Sequence, residues 1–166
     1  MTLLEYALFA VSSLFVIMDP IATVPAFLAM TPNDTPEHRL KMARLACQVA
    51  AVILLLFAIG GRWIFEFLGI TIPALQMAGS VILLLIALDM LKAERTKERE
   101  THEEVEAGAA KADIAVTPLA VPMLAGPGAI STVILLQARA DSWAKHGLLY
   151  VCIVLVCTAS YVVFAL

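Results

Sequence analysis

Two short stretches of this chain carry residues suited, by type and spacing, to holding a small charged molecule. The first reads Met18-Asp19-Pro20-Ile21-Ala22-Thr23-Val24-Pro25, the second Ala125-Gly126-Pro127-Gly128-Ala129-Ile130-Ser131-Thr132. Asp19 before Pro20 has the form of a helix start: a capping side chain, then a residue whose fixed φ suits the first turn. Gly126 before Pro127 is a weaker version of the same pattern. A helix beginning at Pro20 offers the amides of Ile21, Ala22 and Thr23 at its positive end. One beginning at Pro127 offers those of Gly128, Ala129 and Ile130. Such ends suit an anion, in particular a carboxylate. The prolines also free carbonyls, those of Val16 and Met123, which suit a cation, and Asp19 can pair with an ammonium group. Amides for a carboxylate, with an acid and carbonyls for an ammonium, fit a small zwitterionic amino acid.

The elements that must position these residues follow from composition. The chain has 166 residues, 61 % apolar and 15 % charged, with a mean hydropathy of +0.92. Soluble domains are about 45–50 % apolar and about 25 % charged. A globule of this size cannot hide the excess from water, which excludes a soluble enzyme, a disordered tail and a disulfide scaffold. A net charge of −3 leaves no basic face for nucleic acid. Cys47, Cys152 and Cys157 lie in apolar runs without metal-ligand spacing and read as packing residues. His38, His102 and His146 fall in loops, and no pair of them has ligand spacing, so neither a metal nor a bound cofactor is expected.

A membrane-crossing helix takes roughly 20 mostly apolar residues. Charges divide the chain into five such stretches: Leu4–Met30, Leu45–Phe65, Ile72–Leu91, Ile114–Ala138 and Gly147–Leu166. Without a basic amino-terminal region or a small-residue cleavage site, the first reads as a retained helix, not a signal peptide. Arg39, Lys41 and Arg44, with Lys92, Arg95, Lys97, Arg99 and Lys111, place eight cations on one side of the membrane, against Arg62, Arg139 and Lys145 on the other. The excess marks the cytoplasmic face and puts the N-terminus outside. Loops 31–44 and 92–113 are then cytoplasmic.

The predicted fold is an all-α polytopic bundle with two discontinuous helices. Residues 1–92 form a first three-span repeat, 93–113 a charged linker, and 114–166 a second repeat holding two of three spans. Three is odd, so the second repeat enters the membrane in the opposite sense. Pro20, Pro25, Pro122 and Pro127 are the expected helix breaks, since interior proline removes a hydrogen bond and clashes with the preceding turn. In hydrocarbon, backbone groups freed in this way must lie within protein or face a wet cavity. Both second half-helices then begin near mid-membrane, a layout shared by many secondary transporters.

Each singled-out residue also has a plainer role. Asp19 is either a substrate partner or only a cap for its own half-helix; an ionisable residue within a span favours the former. Gly126 and Gly128 either approach a ligand or permit close helix packing. Ser12, Ser13, Thr117, Ser131 and Thr132 can bond within their own helices. The 92–113 segment reads as a solvated linker, and Asp89, close to Lys92, as an interfacial residue.

The order of Asp19-Pro20-Ile21-Ala22-Thr23-Val24-Pro25, Phe67-Leu68-Gly69-Ile70, Met77-Ala78-Gly79-Ser80-Val81-Ile82-Leu83-Leu84-Leu85-Ile86-Ala87 and Pro118-Leu119-Ala120-Val121-Pro122-Met123-Leu124-Ala125-Gly126-Pro127-Gly128-Ala129 resembles the MarC family of bacterial integral membrane proteins. The resemblance implies a six-span α-helical inner-membrane protein that takes up or exchanges small neutral amino acids such as glycine and alanine. Ala22 and Ser80 stand where that family often has glycine, and a sixth span is not reached by Leu166. The expected partners are the lipid bilayer and a small zwitterionic substrate, with a homo-oligomer left open and H⁺ or Na⁺ as coupling ions. The alternatives are a non-transporting membrane protein and a small-molecule or drug exporter. The absence of G-x-S-x-G, H-E-x-x-H and any cysteine–histidine pairing argues against an enzyme.

Overall fold

The computed structural model describes residues 1–71 and 115–166, together with positions 73, 74, 77, 78, 80, 81, 84, 85 and 88. The 93–113 linker, Asp89 and about half of the predicted third span lie outside the described residues. What is described is an all-α membrane bundle, with no strand among the described residues.

Helix α1 runs from Leu3 to Met18 and α2 from Pro20 to Met30. Thr2 and Glu5 open α1 with reciprocal side-chain-to-backbone bonds of 3.2 and 2.8 Å, which occupy two of its otherwise orphaned amides. Together α1 and α2 make an apolar stretch of 28 residues, enough to cross a bilayer. Helix α3 runs from Pro36 to Leu68, capped by the Thr35 side chain. Arg39, Lys41 and Arg44, expected in a loop, therefore stand on its opening turns, as does His38. The reason is local: Thr35, Pro36 and Glu37 supply an N-cap, a first-turn proline and a first-turn acid. The Arg39 guanidinium turns back to the Thr31 carbonyl at 2.7 and 3.0 Å and the Pro32 carbonyl at 3.3 Å. A cation there suits the negative end of α2.

The fourth span departs from expectation in its first half. Residues Ala115–Leu124 do not form a regular half-helix: Thr117 (φ −130°, ψ 120°) and Val121 (φ −129°, ψ 120°) are extended. Each precedes a proline, whose ring disfavours helical backbone at the residue before it. Helix α4 then runs from Pro127 to Arg139, at 53° to the preceding segment, and α5 from Trp143 to Ala165. His146, expected in a loop, lies on the first turns of α5.

Helices α3 and α5 form the centre; α1 packs against α5 and α4, and α4 packs chiefly against α3. On α3 the buried stripe consists mostly of small residues, Ala43, Ala46, Cys47, Ala50 and Ala58, with Met42, Leu54 and Phe65 among them, which lets neighbouring backbones approach closely. The three cysteines are buried and free, the packing role expected of them. The outer faces carry Val52, Leu56, Ile59, Val151 and Leu155, all exposed, as lipid contact requires and water would not tolerate. Hydroxyls of Ser12, Thr31, Thr158 and Ser160 bond carbonyls of their own helices.

Candidate functional site

Asp19 separates α1 from α2 in the left-handed conformation, with φ 39° and ψ 63°. Aspartate tolerates this region better than most side chains, because its short polar group can bond locally. Here it does: Oδ1 accepts the Ala22 amide at 3.2 Å, and the Thr23 amide reaches the Asp19 carbonyl, also at 3.2 Å. The Thr23 hydroxyl donates to that same carbonyl at 2.9 Å. At the other break Gly126 caps α4 with no side chain, and the Ile130 amide reaches its carbonyl at 2.9 Å.

These bonds correct the sequence reading at three amides. Those of Ala22, Thr23 and Ile130 were expected to be unpaired and are occupied within their own half-helices. The first-turn amides left without an intrahelical acceptor are those of Ile21 on α2 and of Gly128 and Ala129 on α4. Pro25 is a second correction: α2 runs through it without a break. Its missing N–H leaves the Ile21 carbonyl without the usual helical donor. Ser131, like Thr23, satisfies its hydroxyl locally, on the Pro127 carbonyl.

The two glycines of the second break have different roles. A β-carbon on Gly126 would lie 2.2 Å from the Pro122 carbonyl oxygen, so the fold of the break itself demands glycine. A β-carbon on Gly128 would lie 3.3 Å from the Ile17 side chain. The end of α1, two residues before Asp19, therefore touches the first turn of α4. At their far ends the same helices are joined by the Tyr6 hydroxyl, which donates to the Leu136 carbonyl at 2.9 Å. Helices α1 and α4 are thus antiparallel neighbours, and the two breaks lie at similar depth. Asp19, Ile21 and Ala22 are exposed, Gly128 and Ile130 half-buried, and Thr23, Gly126 and Ala129 buried.

Sequence reasoning missed a second polar place. Gln137, His146 and Tyr150 converge where α4 ends and α5 begins, with the Gln137 amide nitrogen donating to the Tyr150 hydroxyl at 3.2 Å. An amide side chain inside an otherwise uncharged span was the signal available. Beside it, Lys145 is buried and paired with exposed Asp141 at 2.7 Å. That bond holds the Asp141 carboxyl below its usual range, outweighing the opposing effect of desolvation.

An all-α chain with several helices long and apolar enough to cross a membrane, and two half-helices that open on proline, defines a polytopic integral membrane protein. The chain belongs to the MarC family of integral membrane proteins, whose sequence model matches residues 4–166. It is 38 % identical over 153 residues to a UPF0056 membrane protein of Methanocaldococcus jannaschii, an alignment covering 92 % of this chain and 74 % of that relative. It is 35 % identical over 153 residues to the UPF0056 membrane protein YvbG of Bacillus subtilis, covering 92 % and 72 %. The UPF0056 membrane protein YhcE of Escherichia coli is 33 % identical over 129 residues, covering 78 % and 60 %. No solved structure matches the chain.

Proposed function

We propose that this protein is a secondary transporter, not an enzyme, that moves small neutral amino acids of the glycine and alanine type, coupled to H⁺ or Na⁺. It would lie in the bacterial inner membrane with its N-terminus outside. The observation that supports this reading best is the contact of Ile17 with Gly128, which brings the end of α1, three residues before Pro20, against the first turn of α4. In the proposal the substrate carboxylate sits between the Ile21 amide and those of Gly128 and Ala129, at two positive helix ends. The ammonium group sits against the second oxygen of Asp19 and carbonyls that proline leaves unpaired, those of Val16, Ile21 and Met123. The Ala22 methyl group restricts room beside the capping bond, which favours small substrates.

One observation favours a second reading, a membrane protein that does not transport. Asp19 already caps its own half-helix through Ala22, which is the whole duty of a structural cap. Uptake of radiolabelled glycine and alanine into proteoliposomes, with and without imposed H⁺ and Na⁺ gradients, separates the two. Gradient-driven uptake that Asp19→Ala abolishes and Asp19→Asn does not restore supports the transporter. No uptake by correctly folded protein supports the second reading.

A further inference from the structure

The outer ends of α3, α4 and α5 enclose a cavity of about 320 Å³ whose lining includes Phe57, Trp63, Gln137 and His146. Two buried polar atoms of that lining, Gln137 Oε1 and His146 Nδ1, have no hydrogen-bond partner among the described residues. Buried polar atoms are almost always paired, and an unpaired one costs the full desolvation penalty of the group. Two in one cavity call for a common occupant. The volume is roughly ten times the share of a single water, about 30 Å³, and falls at the small end of ligand sites.

The chemistry of the open valences selects the occupant. The Gln137 nitrogen is engaged by Tyr150, which leaves its carbonyl oxygen to receive a donor. A neutral imidazole offers one acceptor nitrogen. The faces of Phe57 and Trp63 attract cations through their ring quadrupoles. Neighbouring cations on α4 and α5 are already engaged: Lys145 with Asp141 at 2.7 Å, and Arg139 over the Phe9 ring at 5.7 Å. A carbonyl oxygen, an imidazole nitrogen and aromatic faces make a receptor for a primary ammonium group.

We propose that this cavity binds a small primary ammonium group and serves as the entry-side site for the amino end of the substrate, an assignment that rests on the transporter reading above. Gln137 lies ten residues beyond Pro127, about 15 Å along the helix at 1.5 Å per residue. That is half of a hydrocarbon core about 30 Å thick, so a break at mid-membrane places the cavity at the bilayer boundary. An arriving molecule is held there before it reaches the breaks.

Both tryptophans of the chain report on this place: Trp63 lines the cavity, and the Trp143 ring lies 6.1 Å from that of His146. The test is a titration of the purified full chain with methylammonium, glycine and acetate, read by tryptophan emission. Equilibrium dialysis of radiolabelled methylammonium measures occupancy independently. Saturable responses to methylammonium and glycine, and none to acetate, are expected. Gln137→Leu and His146→Phe weaken methylammonium binding by about tenfold or more, as loss of a hydrogen bond to a charged group does. Gln137→Glu, which keeps the shape and adds a charge, tightens it. The assignment is overturned if dialysis shows no methylammonium bound, if acetate saturates the site, or if folded Leu and Phe variants bind like the parent. Methylammonium held by a protein that carries no glycine leaves the cavity assigned and removes its transport role. Glycine uptake without any response at the cavity removes the cavity and leaves the transporter.

Discussion

Replacing Gly126 by alanine puts a methyl carbon 2.2 Å from the Pro122 carbonyl oxygen, about 0.8 Å inside the 3.0 Å that real β-carbons respect. The obstacle is backbone, so no rotamer change relieves it. Either the 115–124 segment or the first turn of α4 must move. Forcing an added methyl group into a packed site costs about 1–3 kcal/mol, and the rigidity of this neighbour places Gly126→Ala at or above the upper end. At roughly 2–4 °C per kcal/mol for a chain of this size, the melting temperature falls by about 6–12 °C. Two companion variants calibrate the result. Gly128→Ala meets only the Ile17 side chain at 3.3 Å and costs much less, while Gly147→Ala meets nothing within 4 Å on α5. At Gly147 the helix gains about 0.5–1 kcal/mol because alanine loses less backbone entropy than glycine. The assay is thermal unfolding in one detergent, followed by helical circular dichroism. A Gly126→Ala protein that melts with or above Gly147→Ala would refute the close approach at the second break.

Tyr6→Phe removes the buried bond to the Leu136 carbonyl, 130 residues away in sequence; it should cost about 1 kcal/mol, measured by the same melts, with Tyr161→Phe as comparison. Asp19→Ala loses the cap of α2 and should destabilise by about 0.5–2 kcal/mol, whereas Asp19→Asn keeps an acceptor for the Ala22 amide and should lose little. If both variants melt alike, the capping bond contributes nothing. The Lys145 bond holds the folded-state pKa of Asp141 below its unfolded value, so the folded state binds fewer protons. Its stabilisation is present above the ordinary carboxylate range near about 3.9 and disappears as pH falls through the lowered folded value. Asp141→Asn should therefore flatten the acid limb of a plot of melting temperature against pH, and an unchanged limb would exclude this pair as its source.

Features set by neighbours in sequence were legible in the residues. Asp19-Pro20 and Gly126-Pro127 start half-helices where local capping requires, and Leu3–Met30 and Trp143–Ala165 are apolar enough to be seen as spans. The start of α3 at Pro36 was equally local, but the cations of its first turns disguised it as loop. The pre-proline restriction on Thr117 and Val121 was available in principle, yet a proline count alone treats Pro25 and Pro122 alike. Pro118 and Pro122 are each preceded by an extended residue in the broken span, whereas α2 accommodates Pro25. Contacts between distant elements were not legible. The meeting of Ile17 with Gly128 has no local signature, and the lone amide of Gln137 in an uncharged span gives no hint of its approach to Tyr150 or of the cavity it lines.

The pairing of α1 with α4 has a mechanical consequence. The two helices are more than 100 residues apart in sequence, yet they meet at both ends, through Tyr6 on Leu136 and Ile17 on Gly128. A strut fixed at two points resists sliding and splaying, so the pair moves as one block. In the transporter proposed above, opening of the breaks to alternate sides would come from rotation of that block against the small-residue face of α3, or begin by releasing the Tyr6 hydroxyl. A crosslink between the ends of α1 and α4 would leave the first motion free and stop the second.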